Sequence, residues 1–144
     1  MSWAGNTWIG WALLSALFAA ATAILAKIGV AGVDSNLATA IRTTVVVVFA
    51  WAIALALGKH GEIRQVEPKT WLFLALSGLA TGLSWLCYFR ALQLGPASRV
   101  APLDKLSVVL VIIFAALFLG EKLTPAAMIG GVLIAAGAVV MVFG

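Results

Sequence analysis

Charged residues are scarce in this sequence. They make up 10% of its 144 residues, whereas 64% are hydrophobic. A soluble domain carries about a quarter charged residues and about half apolar ones, so this composition excludes an ordinary water-soluble domain and favours an integral membrane protein. Lys and Arg number 9 against 5 Asp and Glu, for a net charge of +4. The basic residues form no run, so we expect no nucleic-acid partner.

Side chains suited to catalysis or metal binding are also few. The chain has one His and one Cys, which excludes a disulfide within the chain and leaves no pair of Cys or His ligands for a metal. His60 lies in a polar loop, whereas Cys87 lies in an apolar run. A membrane enzyme would need paired carboxylates, histidines, or a nucleophile with a base. We therefore expect no enzymatic activity, no catalytic residue, no metal and no cofactor.

Long apolar segments are abundant. A membrane-spanning helix needs about 20 mostly apolar residues, and five segments meet this requirement: residues 8–30, 36–57, 70–94, 98–119 and 125–143. The connecting loops are short, which makes consecutive helices antiparallel neighbours. The sequence thus predicts an all-α integral membrane fold, a single domain over residues 1–144 that forms a five-transmembrane-helix bundle. Asp34, Ser35 or Asn36 is the expected N-cap of the second helix.

Four charged residues lie at least four residues inside the ends of the predicted spans. Such residues cost about 2.5–3.5 kcal/mol each at a helix centre and are functional candidates by default. We predict an intramembrane charge network of Arg42, Arg90, Asp104 and Lys105. The two arginines either extend to the membrane surface or serve a function; the short Asp104 side chain needs a partner, for which Arg42, Arg90 and Lys105 are available. Pro102 predicts a kink, or an unbonded carbonyl, just before Asp104.

A polar face runs along the third helix. Ser77, Thr81, Ser84 and Tyr88 recur at spacings of four, three and four residues, which places them on one side of a helix. Two interpretations remain open: the hydroxyls bond back to carbonyls of their own helix, or they line a wet cavity. Trp85 lies in mid-span, where it either packs against another helix or lines the same cavity.

The positive charges are nearly balanced between the two membrane faces. Four lie on the N-terminal side (Lys59, Arg64, Lys69 and Lys122) and five on the other side (Lys27, Arg42, Arg90, Arg99 and Lys105). When the deeper residues are discounted, the count is four to two and favours an N-terminus in the cytoplasm, so the positive-inside rule gives only a weak preference. A five-helix chain inserted both ways could form an antiparallel homodimer of ten helices, which is the inverted-repeat architecture of many secondary transporters.

The C-terminal half resembles a known family. The stretch ALQLGPASRVAPLDKLSVVLVIIFAALFLGEKLTPAAMIGGVLIAAGAVVM (91–141), above all its LGEKLT turn, is similar to the second half of an EamA domain. The FRAL segment (89–92) and Lys27 near the end of the first helix also fit this family. EamA domains are the repeat unit of the drug/metabolite transporter superfamily, and the chain looks like its single-repeat, five-helix bacterial and archaeal members.

The resemblance implies half of a ten-helix inverted-repeat fold and a secondary transporter. Such a protein would export small metabolites or amino-acid-like solutes by alternating access, as a homodimer in the lipid bilayer of a bacterial or archaeal plasma (inner) membrane. Two alternatives remain: a non-transporting membrane subunit or scaffold, and a lipid-carrier flippase. The excess of intramembrane cations favours an anionic or zwitterionic small-molecule substrate.

The resemblance also implies which residues bind the substrate. Helices one, three and four line most of the central cavity in the family, so the expected substrate-binding residues are Thr81, Ser84, Trp85, Tyr88, Asp104 and Lys105. The sequence departs from the related four-helix multidrug exporters at one point. Those exporters couple transport to protons through a glutamate in their first helix, and the first three predicted helices here contain no carboxylate. Asp104 is the intramembrane carboxylate that is left.

Overall fold

The computed structural model describes residues 7–144, and these residues form helices and connecting turns without a β-strand. The predicted all-α fold is confirmed. The elements are α1 (Thr7–Gly29), α2 (Ser35–Ala56), a 3-10 helix (Lys59–Gln65), α3 (Pro68–Leu94), α4 (Ala97–Asp104), α5 (Leu106–Phe118) and α6 (Pro125–Phe143). Residues 1–6, which the predicted domain includes, lie outside the described residues.

Five segments of the described chain are long and apolar enough to cross a membrane. They are Thr7–Gly29, Ser35–Ala56, Pro68–Leu94, Ala97–Phe118 and Pro125–Phe143. Their ends differ from the predicted ranges by at most two residues. The prediction of five membrane-spanning helices is confirmed, and the fourth span consists of α4 followed by α5.

Side-chain caps define the starts of α2 and α6. Asp34 is the N-cap of α2, where its Oδ1 accepts hydrogen bonds from the amides of Asn36 (2.9 Å) and Leu37 (3.1 Å). The Thr124 hydroxyl accepts from the amide of Ala127 at 3.1 Å. These oxygens bond amides that have no partner within the first helical turn. Of the three residues that the sequence offered as the α2 cap, the structure selects Asp34.

The loop between α2 and α3 is more ordered than the sequence indicates. The sequence predicts a polar loop around His60 and assigns it no regular structure, whereas Lys59–Gln65 form a 3-10 helix. Gly58 enters it with φ of 68°, a left-handed conformation that glycine adopts without steric cost. Lys59 Nζ lies 2.6 Å from Glu62 Oε1 in an exposed ion pair, which contributes little to stability at a solvated surface.

The fourth span is interrupted next to its proline. α4 ends at Asp104 and α5 begins at Leu106. Pro102 has no amide hydrogen for the helical ladder, and the Lys105 amide donates to the Pro102 carbonyl, three residues back, at 3.0 Å. The Val108 amide bonds to the Lys105 carbonyl in the same way, at 3.0 Å. The predicted disruption of this helix is confirmed, and it takes the form of a 3-10 turn.

The chain divides into two compact units. The first comprises Met1–Ile28 and Leu94–Gly144, and the second comprises Gly29–Gln93. The single domain over residues 1–144 stays a prediction.

Within the first unit, α6 contacts both α4 and α5. Gly131 is buried there, and a Cβ at this position would lie 3.5 Å from Ile112 Cδ1. A small residue thus permits the close helix contact that is typical of membrane proteins.

A hydrogen bond from Lys27 links α1 to another part of the first unit. Its Nζ donates a hydrogen bond of 2.9 Å to the carbonyl of Gly95, in the turn that follows α3. A cation at this position also complements the negative end of the helix dipole. Lys27, which the sequence places near a membrane face, therefore has a structural role in the first unit.

Little of each span is buried inside the chain. Between 0% and 11% of the most apolar 18-residue window of each span is buried. Most large apolar side chains consequently face outward, where lipid or another protein must cover them.

Candidate functional site

The predicted polar face of α3 lies in the second unit. Thr81 and Ser84 are exposed there, while Trp85 and Tyr88 are partly buried. The Thr81 hydroxyl donates to the Ser77 carbonyl at 2.9 Å. For Thr81, this is the first of the two interpretations, in which a hydroxyl bonds to a carbonyl of its own helix. With its hydrogen used in this way, the Thr81 oxygen can still accept a hydrogen bond from another group.

Arg42 of α2 contacts the same part of α3. Its guanidinium carbon lies 4.0 Å from the centroid of the Trp85 ring and 5.6 Å from that of Phe89. Tyr88 is close enough to interact electrostatically with the guanidinium. The structure thus brings together Arg42 and Trp85, which the sequence analysis selected on separate grounds. Phe89, which is buried beneath them, was missed because an apolar residue in an apolar helix gives no signal.

The aromatic contacts compensate only part of the cost of this charge. A cation over an aromatic ring gains about 0.5–2 kcal/mol, whereas an arginine costs about 2.5–3.5 kcal/mol at a helix centre, and Arg42 lies about a third of the way along α2. Hydrogen bonds would have to supply the rest, and a guanidinium has five N–H donors. No acceptor among residues 7–144 bonds to Arg42, and its Nη1 is buried. Arg42 is therefore a cation that the described chain leaves without a hydrogen-bond partner.

Arg90 has a different environment. Its Nη1 donates to Gln93 Oε1 at 2.7 Å, and Gln93 Nε2 donates to the Val33 carbonyl at 2.7 Å. This chain of hydrogen bonds joins the end of α3 to the turn before α2, all within the second unit. Gln93 was missed by the sequence analysis, although its position three residues after Arg90 gives a usable signal. Arg90 thus supports a structural contact.

A groove of about 500 Å³ opens between residues of α2 and α3 in the second unit. Its polar lining comes from α2, and the residues around it are Asn36, Thr39, Ala40, Thr43, Thr44, Val47, Val48, Gly82 and Leu86. The three threonine hydroxyls donate to carbonyls four residues back, at 2.8, 2.8 and 3.1 Å. The sequence analysis did not select this face, although the spacing of its threonines was visible.

Asp104 and Lys105 lie in the first unit, at the interruption of the fourth span. Lys105 Nζ is 3.4 Å from Asp104 Oδ2, with side-chain exposures of 57% and 37%. A pair so exposed contributes little to stability. Lys105 was one of three cations expected to pair with Asp104. The adjacent 3-10 turn places both side chains where the backbone ladder is locally irregular, which is a feature of many ion and solute sites in membrane transporters.

Comparison with known proteins gives two matches. Residues 6–143 match the EamA-like transporter family. A protein of a Sinorhizobium species, named as an uncharacterized transporter in the cobO 3′ region, is 58% identical over 136 residues, which cover 94% of this chain and 96% of the relative. No solved structure matches the chain.

Proposed function

Because this chain belongs to the EamA-like transporter family, and is therefore a multi-pass membrane transporter, we propose that it exports small metabolites or amino-acid-like solutes. It does so by alternating access as a homodimer in a bacterial or archaeal plasma membrane. The observation that carries the solute-binding part is the Arg42–Trp85 contact beside the hydroxyl face of α3. A charged and polar surface within a span has a high cost unless it serves the passage of a solute.

The proposed substrate-binding residues of the second unit are Thr81, Ser84, Trp85 and Tyr88, and those of the first unit are Asp104 and Lys105. In the second unit, hydroxyl and aromatic groups lie on one helix face. In the first, a carboxylate and an ammonium group lie at an interrupted helix. Both sets offer polar groups at membrane depth, as a solute that crosses the bilayer requires.

Transport is tested by counterflow. The purified protein is reconstituted in proteoliposomes loaded with unlabelled amino acids and small carboxylic acids, and uptake of each labelled solute is followed. We expect exchange of at least one solute, and a reduction of at least tenfold in Asp104→Asn and Lys105→Ala. Exchange that both variants leave unchanged would refute their assignment to the site. Export is tested with inverted and right-side-out vesicles, since an exporter accumulates solute in the inverted ones.

The homodimer is supported by the low burial of every span and by the near balance of basic residues between the two faces. Gly78 and Gly82 of α3 add to this support, because they form a G-x-x-x-G pair and a Cβ at either position would meet no atom within 4 Å. Small residues free of close contacts are available to a second copy. In the antiparallel form, the two copies have opposite orientations.

Orientation is tested by thiol labelling. Cys87→Ser removes the one native thiol, and Glu62→Cys then places a single thiol in the exposed 3-10 helix. An impermeant maleimide applied to intact cells should label about half of the molecules, and the remainder should react after permeabilisation. Labelling of all molecules from one side would exclude the antiparallel dimer. The yield of crosslinked dimer is then compared between the Gly78→Leu variant and the matched control Gly10→Leu. This comparison tests whether Gly78 lies at the dimer interface.

A further inference from the structure

Arg42 is the most poorly satisfied charged group of the second unit. Its guanidinium lies against the Trp85 ring, with a distance of 4.0 Å from its central carbon to the ring centroid. A contact of this kind occupies one side of the planar group, while its N–H bonds radiate in the plane itself. Those donors find no acceptor among residues 7–144, and Nη1 is buried. Buried or partly buried donors of a cation require acceptors.

None of the carboxylates of the second unit is bonded to Arg42. Asp34 caps the start of α2 through two amide hydrogen bonds. Glu62 pairs with Lys59 in the 3-10 helix at the other end of α2, and Glu67 directly precedes α3. None of these residues supplies the missing acceptor. The buried Nη1 of Arg42 therefore has no carboxylate of its own unit as an acceptor.

We propose that Arg42, supported by Trp85, is the subsite that binds the carboxylate of the transported solute, so that the substrates are carboxylates or zwitterions. This assignment rests on the transporter function proposed above and specifies its substrate class. The planar fork of a guanidinium matches a carboxylate through two parallel hydrogen bonds. The aromatic support restricts the fork to one geometry before the solute arrives, which reduces the ordering cost of binding.

The groups next to Trp85 suit the remainder of such a solute. Thr81 lies four residues before Trp85, about 6 Å along the helix axis. Its hydroxyl hydrogen is bonded to the Ser77 carbonyl, so its oxygen accepts hydrogen bonds rather than donating them. An ammonium group donates and cannot accept. The α3 face therefore offers an acceptor for a donor group near the anion site, as a zwitterionic amino acid would need.

Binding of matched acid and amide pairs tests the proposal. The full-length protein in phosphatidylcholine nanodiscs is titrated calorimetrically with 4-methylpentanoate and 4-methylpentanamide, with leucine and leucinamide, and with benzoate and benzamide. Each pair differs little in shape and differs in the carboxylate. We expect at least one acid to bind ten times more tightly than its amide. Arg42→Gln should reduce this ratio to below two, and Arg42→Lys should give an intermediate ratio, since it keeps the charge but loses the fork.

Arg90→Gln is the matched control. Arg90 is the other arginine of the second unit within a span, and its guanidinium is bonded to Gln93. The acid-to-amide ratio should be unchanged in this variant. If Arg42→Gln does not fold, Arg42→Lys carries the test, because it preserves the charge and the aliphatic stem. A ratio near one in the wild type, or a ratio that survives both Arg42 substitutions, would overturn the proposal.

Two competing acceptors give distinct results. If a lipid phosphate is the acceptor, the thermal stability of the wild type should rise with phosphatidylglycerol content, and that of Arg42→Gln should not. The wild type should then bind acids no more tightly than their amides. A protein carboxylate such as Asp104 would make the stability effects of Asp104→Asn and Arg42→Gln non-additive, again with no preference for acids. Either pattern overturns the proposal.

Counterflow with the same pairs separates this inference from the transporter function. Equal exchange of acids and amides would refute the carboxylate subsite while leaving transport intact. Arg42-dependent binding of acids without exchange of any solute would refute the proposed transport while leaving the subsite intact.

Discussion

Removal of the Gln93 side-chain amide should weaken the second unit by a calculable amount. Gln93 donates to the Val33 carbonyl at 2.7 Å, in a partly buried bond between distant parts of the chain. Such a bond contributes about 0.5–1.5 kcal/mol, and side-chain hydrogen bonds in a membrane protein average about 0.6 kcal/mol. Its other bond, from Arg90, is exposed and joins residues three apart, so it contributes about 0.2–0.5 kcal/mol. We predict that Gln93→Leu lowers the free energy of unfolding by about 1 kcal/mol.

Two further variants separate the bonds. Gln93→Glu keeps an acceptor for Arg90 but removes the donor to Val33, so it should cost about as much as Gln93→Leu. Arg90→Met keeps the Val33 bond and should cost less than about 0.5 kcal/mol. Reversible unfolding in mixed micelles with increasing dodecyl sulfate, followed by tryptophan fluorescence, measures all three. A neutral Gln93→Glu, or an Arg90→Met that costs more than Gln93→Leu, would refute the reasoning.

Three other predictions concern helix ends and the interrupted span. Lys27→Met should lower the free energy of unfolding by about 1 kcal/mol, since it removes the bond to the Gly95 carbonyl, and Lys27→Arg should restore most of the loss in the same unfolding assay. Asp34→Ala should cost about 1 kcal/mol as the α2 cap is lost, and an equal cost for Asp34→Asn would contradict the capping role. Pro102→Ala supplies an amide that can bond to the Ser98 carbonyl, so amide hydrogen exchange around the break should slow; unchanged exchange would show that the proline does not cause the break.

The spans could be predicted because their physical cause is local. About 20 apolar residues in sequence are sufficient to specify a membrane-spanning helix, and no tertiary contact is needed. The interruption in the fourth span was visible for the same reason, since Pro102 lacks its amide whatever surrounds it. The 3-10 helix of Lys59–Gln65 was not visible, because its polar sequence fits an irregular loop equally well.

The cap of α2 is an intermediate case. Asp34, Ser35 and Asn36 are all good N-cap residues. The residue types therefore reduce the candidates for the cap to three but do not distinguish among them. The cap is the residue directly before the first helical residue, so it depends on where the preceding turn ends. Ser35 and Asn36 already lie within α2, which leaves Asp34 as the cap.

The different roles of Arg42 and Arg90 could not be predicted from the sequence. By sequence, Arg42 and Arg90 are equivalent: each lies several residues inside a span, and each could either extend to the surface or serve a function. Their difference arises from their neighbours. Arg90 finds its acceptor three residues away on its own helix, and that spacing could have been read from the sequence. Arg42 contacts Trp85 and Phe89 on another helix, and only the tertiary structure brings these residues together. A partly buried cation that gains aromatic contacts but no acceptor has no explanation within its own helix, and the carboxylate of the solute is the acceptor that we assign to it.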